Sequence, residues 1–179
     1  MDVLVGYATA HGSTREIAER LAAGLRGAGL TAQARAVSEV DDAGGYRAFV
    51  IGSAVHGQAW LASARAFLAD NAGLIAARPV WIFSVGMPAA LRGPWRRLGP
   101  REGPAIVESL PVTVRGREHR LFSGVIAPEA LSRPGRLLFR LMGGRFGDHR
   151  DWNAIDAWAA DIATALREGF PLRAGRPSG

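Results

Sequence analysis

Short unbroken apolar runs alternate along this chain with stretches in which apolar residues recur every three or four positions. The runs at 2–7, Ala48 to Ile51 and Pro79 to Val85 have the length and the β-branched and aromatic content of buried strands. Residues 31–37 make a weaker strand, and Leu121 to Ile126 a fifth. Helical spacing marks Glu16 to Arg26, with Ile17, Leu21 and Leu25 on one face and Gly27 and Gly29 at its end. It marks Leu61 to Asn71, through Leu61, Phe67 and Leu68, and a short helix, Ala105 to Leu110. A closing helix capped by Asp151 carries Trp152, Ile155, Trp158, Ala159, Ile162 and Leu166, whose spacing assigns the tryptophans to the core. Strands alternating with helices at this interval predict an α/β domain over 1–169. Its five-stranded parallel sheet is covered on both faces and closed by right-handed crossovers. The Pro, Gly and Arg tail 170–179 is expected to be disordered.

In such a sheet ligands bind beyond the carboxyl ends of the strands, where the strand order switches. Three loops leave those ends: 8–14, 53–58 and 84–95. The first reads Y-A-T-A-H-G-S-T over Tyr7 to Thr14. Hydroxyls on Thr9, Ser13 and Thr14, and N–H groups that Gly12 lets approach closely, converge there on the positive end of a helix, which suits a phosphate. The alternative is an ordinary strand-to-helix turn with Ser13 or Thr14 as N-cap. The loop lacks the G-K-[ST] ending of a P-loop. A nucleotide-like cofactor would set its phosphate on the first loop and its ring between the other two.

The chain has 179 residues and 48% apolar content, enough for one full core. Without cysteine, disulfides, iron–sulfur ligation and thiol catalysis are excluded within it. Neither a leader nor an apolar run of membrane-spanning length stands out, so a soluble cytoplasmic protein is expected. The net charge of +6 comes entirely from arginine, and its position matters more than its size. Residues 81–150 hold 12 arginines against 5 acids, while the flanking stretches are near balance. That asymmetry points to an anionic partner. Nucleic acid is set aside, because no recognition helix or stacking aromatics accompany the charge. Part of the excess lies in an insertion, 127–150, that a minimal five-strand plan does not need. Within it Arg133, Arg136 and Arg140 share one side of a helix, and Leu137, Leu138, Leu141 and Met142 the other, before Gly143 and Gly144. Such a helix either packs as a flap on its own domain, or rests through 133–142 on a membrane surface or over an anionic substrate.

The loop T-A-H-G-S-T resembles the flavodoxin phosphate loop T-x-T-G-x-T, and the strand plan is similar to the flavodoxin fold. Within that family the chain most resembles the menaquinone-dependent protoporphyrinogen oxidases. The likeness lies in T-R-E-I-A at Thr14 to Ala18, V-I-G at Val50 to Gly52, S-V at Ser84 to Val85, the L-x-x-L-M-x-G-G-like run and the closing D-W. It covers roughly 2–168 and implies a flavodoxin-like three-layer sandwich with an insertion between strand five and the last helix. The resemblance implies FMN as cofactor, its phosphate held by Thr9, Ala10, His11, Gly12, Ser13 and Thr14. His11 stands where the family usually has a hydroxyl residue. The resemblance sets the isoalloxazine against Ser53, Ala54, Val55, His56 and Gly57, with Ser84, Val85 and Gly86 at its other edge. His56 holds the position of a stacking aromatic, with Trp60 or Trp95 as alternatives.

Electron-carrier flavodoxins surround the flavin with acids, whereas 53–60 has none here and 84–101 has Arg92, Arg96, Arg97 and Arg101. Positive charge favours a reduced anion, and about 1.4 kcal/mol of it raises a one-electron potential by about 59 mV. The implied activity is an FMN-dependent oxidoreductase passing electrons from an anionic reduced substrate to a quinone, peripheral to the inner face of the membrane. The other reading is a soluble electron carrier serving a partner enzyme. No residue stands out as a catalytic acid or base, and homo-oligomerisation stays open.

Overall fold

Val3, Leu4 and Val5 are fully buried, and the strand that holds them, β1 (Asp2–Ala8), has a neighbour on each side. The computed structural model describes residues 2–56, 59–86, 110, 118–126, 133–141 and 146–169. Five long strands run parallel in the order β2-β1-β3-β5-β6, with β2 Thr31–Ala36, β3 Ala48–His56, β5 Val80–Gly86 and β6 His119–Ser123. Because β1 pairs with both β2 and β3, the order reverses beside it, and the carboxyl ends of β1 and β3 flank the switch point.

The pleat sends alternate residues to opposite faces. Val3, Val5, Val50, Trp81 and Phe83 pack against α1 (Ser13–Gly27) and the closing helix α5 (Trp152–Arg167). Leu4, Phe49, Ile51 and Ile82 pack against α2 (Ala62–Asp70) and Ile75 of the short α3 (Ala72–Ala77). The expected three layers are present. Trp158 is a core residue, edge-on to Phe83 and Phe122 at 6.1 and 5.5 Å between ring centroids. Asp151 caps α5 by accepting from the Ala154 N–H at 3.0 Å, as its position suggested.

Two boundaries differ from the sequence reading. The third strand does not end at Gly52 but continues through Ser53–His56, previously assigned to a loop, and folds back through β4 (Ala59–Trp60). Gly52 looked like a breaker but is a packing residue: a Cβ there would stand 2.0 Å from the Phe83 ring. The fifth strand divides at Gly124 into β6 and β7 (Val125–Ile126), and β7 leaves the sheet to pair antiparallel with β8 (Gly147–Asp148). A Cβ on Gly124 would meet the Val85 side chain at 2.9 Å, so this close approach needs glycine.

Between β7 and β8 lies the expected amphipathic helix, α4 (Arg133–Leu141). Leu137 and Leu141 do not serve as a flap's packing face. Phe139 is buried beside Phe146, while Leu137 and Leu141 are 62% and 76% exposed. The short helix expected over Ala105 to Leu110 lies outside the described residues except for Leu110, and the tail 170–179, the loop bearing Trp95, Arg92, Arg96, Arg97 and Arg101, Gly57 and Met142 lie outside them too.

The glycine contacts give a direct test by urea unfolding. Gly52→Ala forces a methyl into the Phe83 ring and should cost on the order of 3 kcal/mol. Gly27→Ala, at the end of α1 with nothing within 4 Å of its Cβ position, should be neutral or stabilising by about 0.5 kcal/mol.

Candidate functional site at the carboxyl edge of the sheet

Register places the sequence-predicted loops side by side: Ala8 is level with Ser53, Ser53 with Ser84, and Gly86 with Ser123. From β1 the chain turns through Thr9, Ala10, His11 and Gly12 into α1. Thr9 Oγ1 closes the turn by accepting from the Gly12 N–H at 2.9 Å. Gly12 sits at φ 92°, a left-handed conformation that excludes most side chains. It, not Ser13 or Thr14, is the N-cap, and no side chain caps α1. The first intrahelical bond runs from the Glu16 N–H to the Gly12 carbonyl. The N–H groups of Ser13, Thr14 and Arg15 therefore have no partner within the helix.

The two hydroxyls of this turn have different surroundings. Ser13 Oγ accepts from the Val125 N–H at 3.2 Å and keeps its own proton to donate. Thr14 is 1% exposed, and its Oγ1 has no hydrogen-bond partner among the described residues. A buried unpaired hydroxyl costs about 1–3 kcal/mol, so its place beside three open N–H groups suits an anion rather than packing. Ala10 and His11 are exposed at the lip of the turn.

The other two loops meet the first differently than expected. Ser53 and Ser84 are fully buried and bonded internally. Ser53 Oγ donates to the Ala54 carbonyl and accepts from the Leu61 N–H, which fixes the β3–β4 hairpin. Ser84 Oγ accepts from the Trp60 indole at 2.7 Å and lies 2.9 Å from His119 Nε2. Trp60 is 2% exposed, so it braces the site from below and offers no open face for stacking. Val85 also points into the core, whereas Ala54 and Val55 are half-buried and His56 is exposed. The Gly86 carbonyl accepts from the Gly124 N–H at 3.0 Å. What this edge can present to a ring is the backbone of 54–56 and 86 and the imidazole of His56.

Sequence reading missed His119 and Arg150. His119 opens an edge strand and carried no motif; only its partner Ser84 gives it a place. Burial lowers its pKa. An indole only donates, so the Ser84 hydroxyl proton is free for a neutral Nε2. Arg150 ends the insertion, where the run D-H-R-D-W was the available signal. Its guanidinium grips Asp148 at 2.9 and 2.7 Å, reaches Glu16 of α1 at 2.5 Å and stacks 4.5 Å from the Trp152 ring centroid. These hydrogen bonds raise the pKa of Arg150, and the same pairing holds Asp148 below the usual carboxylate value. Among the described residues no group of His, Asp and Glu could hold a metal ion, and no helix is long and apolar enough to cross a membrane. A surface hollow of about 280 Å³ beside Asp2, Thr31, Asp42 and Tyr46 lies at the opposite end of the sheet.

The comparisons with known proteins agree with this architecture. A family model described as a flavodoxin domain matches residues 4–132. Among solved structures, rubredoxin oxygen:oxidoreductase from Desulfovibrio gigas superposes with a TM-score of 0.60 at 16% identity, covering 93% of this chain and 36% of that one. A flavodoxin from the domain Archaea gives 0.57 at 15% identity, covering 93% and 99%. The Flv1 flavodiiron core from Synechocystis sp. PCC6803 gives 0.53 at 17%, covering 94% and 36%. The chain thus spans about a third of the two larger proteins and nearly all of the archaeal flavodoxin. No curated protein matches it.

The residues present fit FMN, because the unpaired Thr14 hydroxyl and the uncapped first turn are what its phosphate requires. Thr14→Val should leave the flavin-free protein as stable or more so and weaken FMN about tenfold in a fluorescence titration. Acidity tests His119. Its lowered pKa means the unfolded chain binds the proton more readily, so its contribution to stability is lost as pH falls below about 6.5. In urea unfolding between pH 7.5 and 5, His119→Gln should show a shallower loss than the parent. Matched family and observed fold agree: the chain belongs to the flavodoxin domain family, and its cofactor is FMN.

Proposed function

We propose that the protein is an FMN-dependent oxidoreductase that takes electrons from an anionic reduced substrate and delivers them to a quinone, in the manner of quinone-linked protoporphyrinogen dehydrogenases. FMN supplies the electron transfer itself. The chain's part is to hold the phosphate with Thr9, Gly12, Ser13 and Thr14 and to seat the ring on the edge formed by 54–56 and 86. Excluding water from that edge falls to the β3–β4 hairpin, which Ser53 and Trp60 fix in place. His119 and Ser84 keep the bracing neutral.

The observation that carries this reading is the insertion. It is fastened to the first turn of α1 through Arg150 and Glu16, it bears Arg136 and Arg140, and it turns Leu137 and Leu141 to solvent. Phe139 is the residue that packs, so the leucines one turn apart lie on the side away from the domain. An electron carrier has no use for such an appendage. A helix with outward leucines and flanking arginines suits the surface of an anionic bilayer, where a quinone is found. Arginine also suits substrate carboxylates, which its fork binds bidentately.

A carrier role is the second reading, favoured by one fact: the archaeal flavodoxin is matched over nearly its whole length. One experiment separates the two. The purified protein with FMN, mixed with anionic vesicles containing menaquinone, should oxidise protoporphyrinogen at a rate that depends on the quinone and falls when the vesicles are omitted. Rapid single-electron exchange with redox proteins, without quinone-dependent turnover, would instead establish the carrier.

A further inference from the structure

Glu16 lies in the first turn of α1, directly over the phosphate loop. Its Oε1 is 4.0 Å from the point where a Cβ on Gly12 would stand. An acid in a first turn stabilises a helix by facing its positive end, but here it competes with the anion for that end. The carboxylate does not stand alone. Arg150 Nη1 donates to Glu16 Oε2 at 2.5 Å, while its Nε and Nη2 are held by Asp148. The Arg150 side chain is only 9% exposed and lies over Trp152, so the guanidinium is fixed and poorly screened. It reaches Glu16 from the far end of the insertion, 134 residues along the chain. A second tie, from Val125 to Ser13, comes from β7, the strand that leads into the insertion. The strand before the insertion and the residue that ends it thus touch the same helical turn.

We propose that Arg150 is a positioning residue for the cofactor phosphate: it draws the Glu16 carboxylate aside and offsets part of its charge, coupling the docked insertion to the charge-selective part of FMN binding. The inference rests on FMN being the cofactor and adds which residues set the preference for its phosphate. The described contacts of Arg150 are with Asp148, Glu16 and Trp152. Its effect is exerted on a neighbouring carboxylate, so it should discriminate between a phosphorylated flavin and one without phosphate.

The test uses the full-length chain, stripped of flavin and titrated with FMN and with riboflavin by flavin fluorescence. Arg150→Met keeps the aliphatic stem on Trp152 but removes the charge. It should weaken FMN roughly tenfold and leave riboflavin unchanged. Adding Glu16→Gln to that variant should bring FMN affinity back toward that of the parent, because the carboxylate beside the phosphate loop is gone and only Asp148 is left unpaired. Glu16→Gln alone should leave FMN affinity unchanged or higher, and that measurement carries the test if Arg150→Met does not fold. Equal weakening of both flavins, a double variant no better than Arg150→Met, or weaker FMN in Glu16→Gln each overturns the proposal. A parent chain that takes up no FMN overturns the cofactor reading with it, whereas a parent that binds FMN normally beside an unaffected Arg150→Met overturns this proposal alone.

Discussion

A helix that begins without a side-chain cap leaves three N–H groups pointing the same way, and the rest of this structure follows from where α1 does so. Gly12 makes the uncapped start by taking a left-handed turn, and Thr9 holds the turn closed from the strand side. The sheet then fixes the direction. Because β1 has β2 on one side and β3 on the other, no crossover helix among the described residues covers the point where α1 begins. Buried Thr14, unpaired among the described residues, is the local cost of that arrangement. In the proposed FMN site the phosphate offsets that cost, which would join stability and cofactor binding at this one residue.

Much of the fold was legible because the strands are buried on both faces. Continuous apolar runs such as Val3 to Val5 and Val80 to Phe83 have one reading in a parallel sheet, and the helices between them supplied the period. The misreadings came from glycine. Gly52 and Gly124 look alike in sequence, yet one sits inside a strand beneath the Phe83 ring and the other ends a strand against Val85. No local pattern separates these cases, because the deciding neighbour is distant in the chain.

The site was legible in part for the same reason. The turn proposed for the phosphate is a local motif, and its residues lie between β1 and α1 as the spacing set them. The resemblance assigns Ser53, Ser84 and Trp60 to the ring, but these side chains turn inward, Ser53 bonding to Leu61 and Ser84 to Trp60 and His119. His119 and Arg150 could not be found from spacing. Each acquires its place through a partner on another element, Ser84 in one case and Glu16 in the other.

The pairing of β7 with β8 has a consequence for how this chain can vary. Val125 faces Asp148 and Ile126 faces Gly147, so the segment between them departs from and returns to almost the same spot. Its length is then nearly irrelevant to the body of the protein, since closing a longer or shorter excursion from a fixed base changes the entropy only slowly. The excursion can be trimmed, extended or exchanged for another sequence while the short ladder at its base survives, making it the part of the molecule most open to grafting.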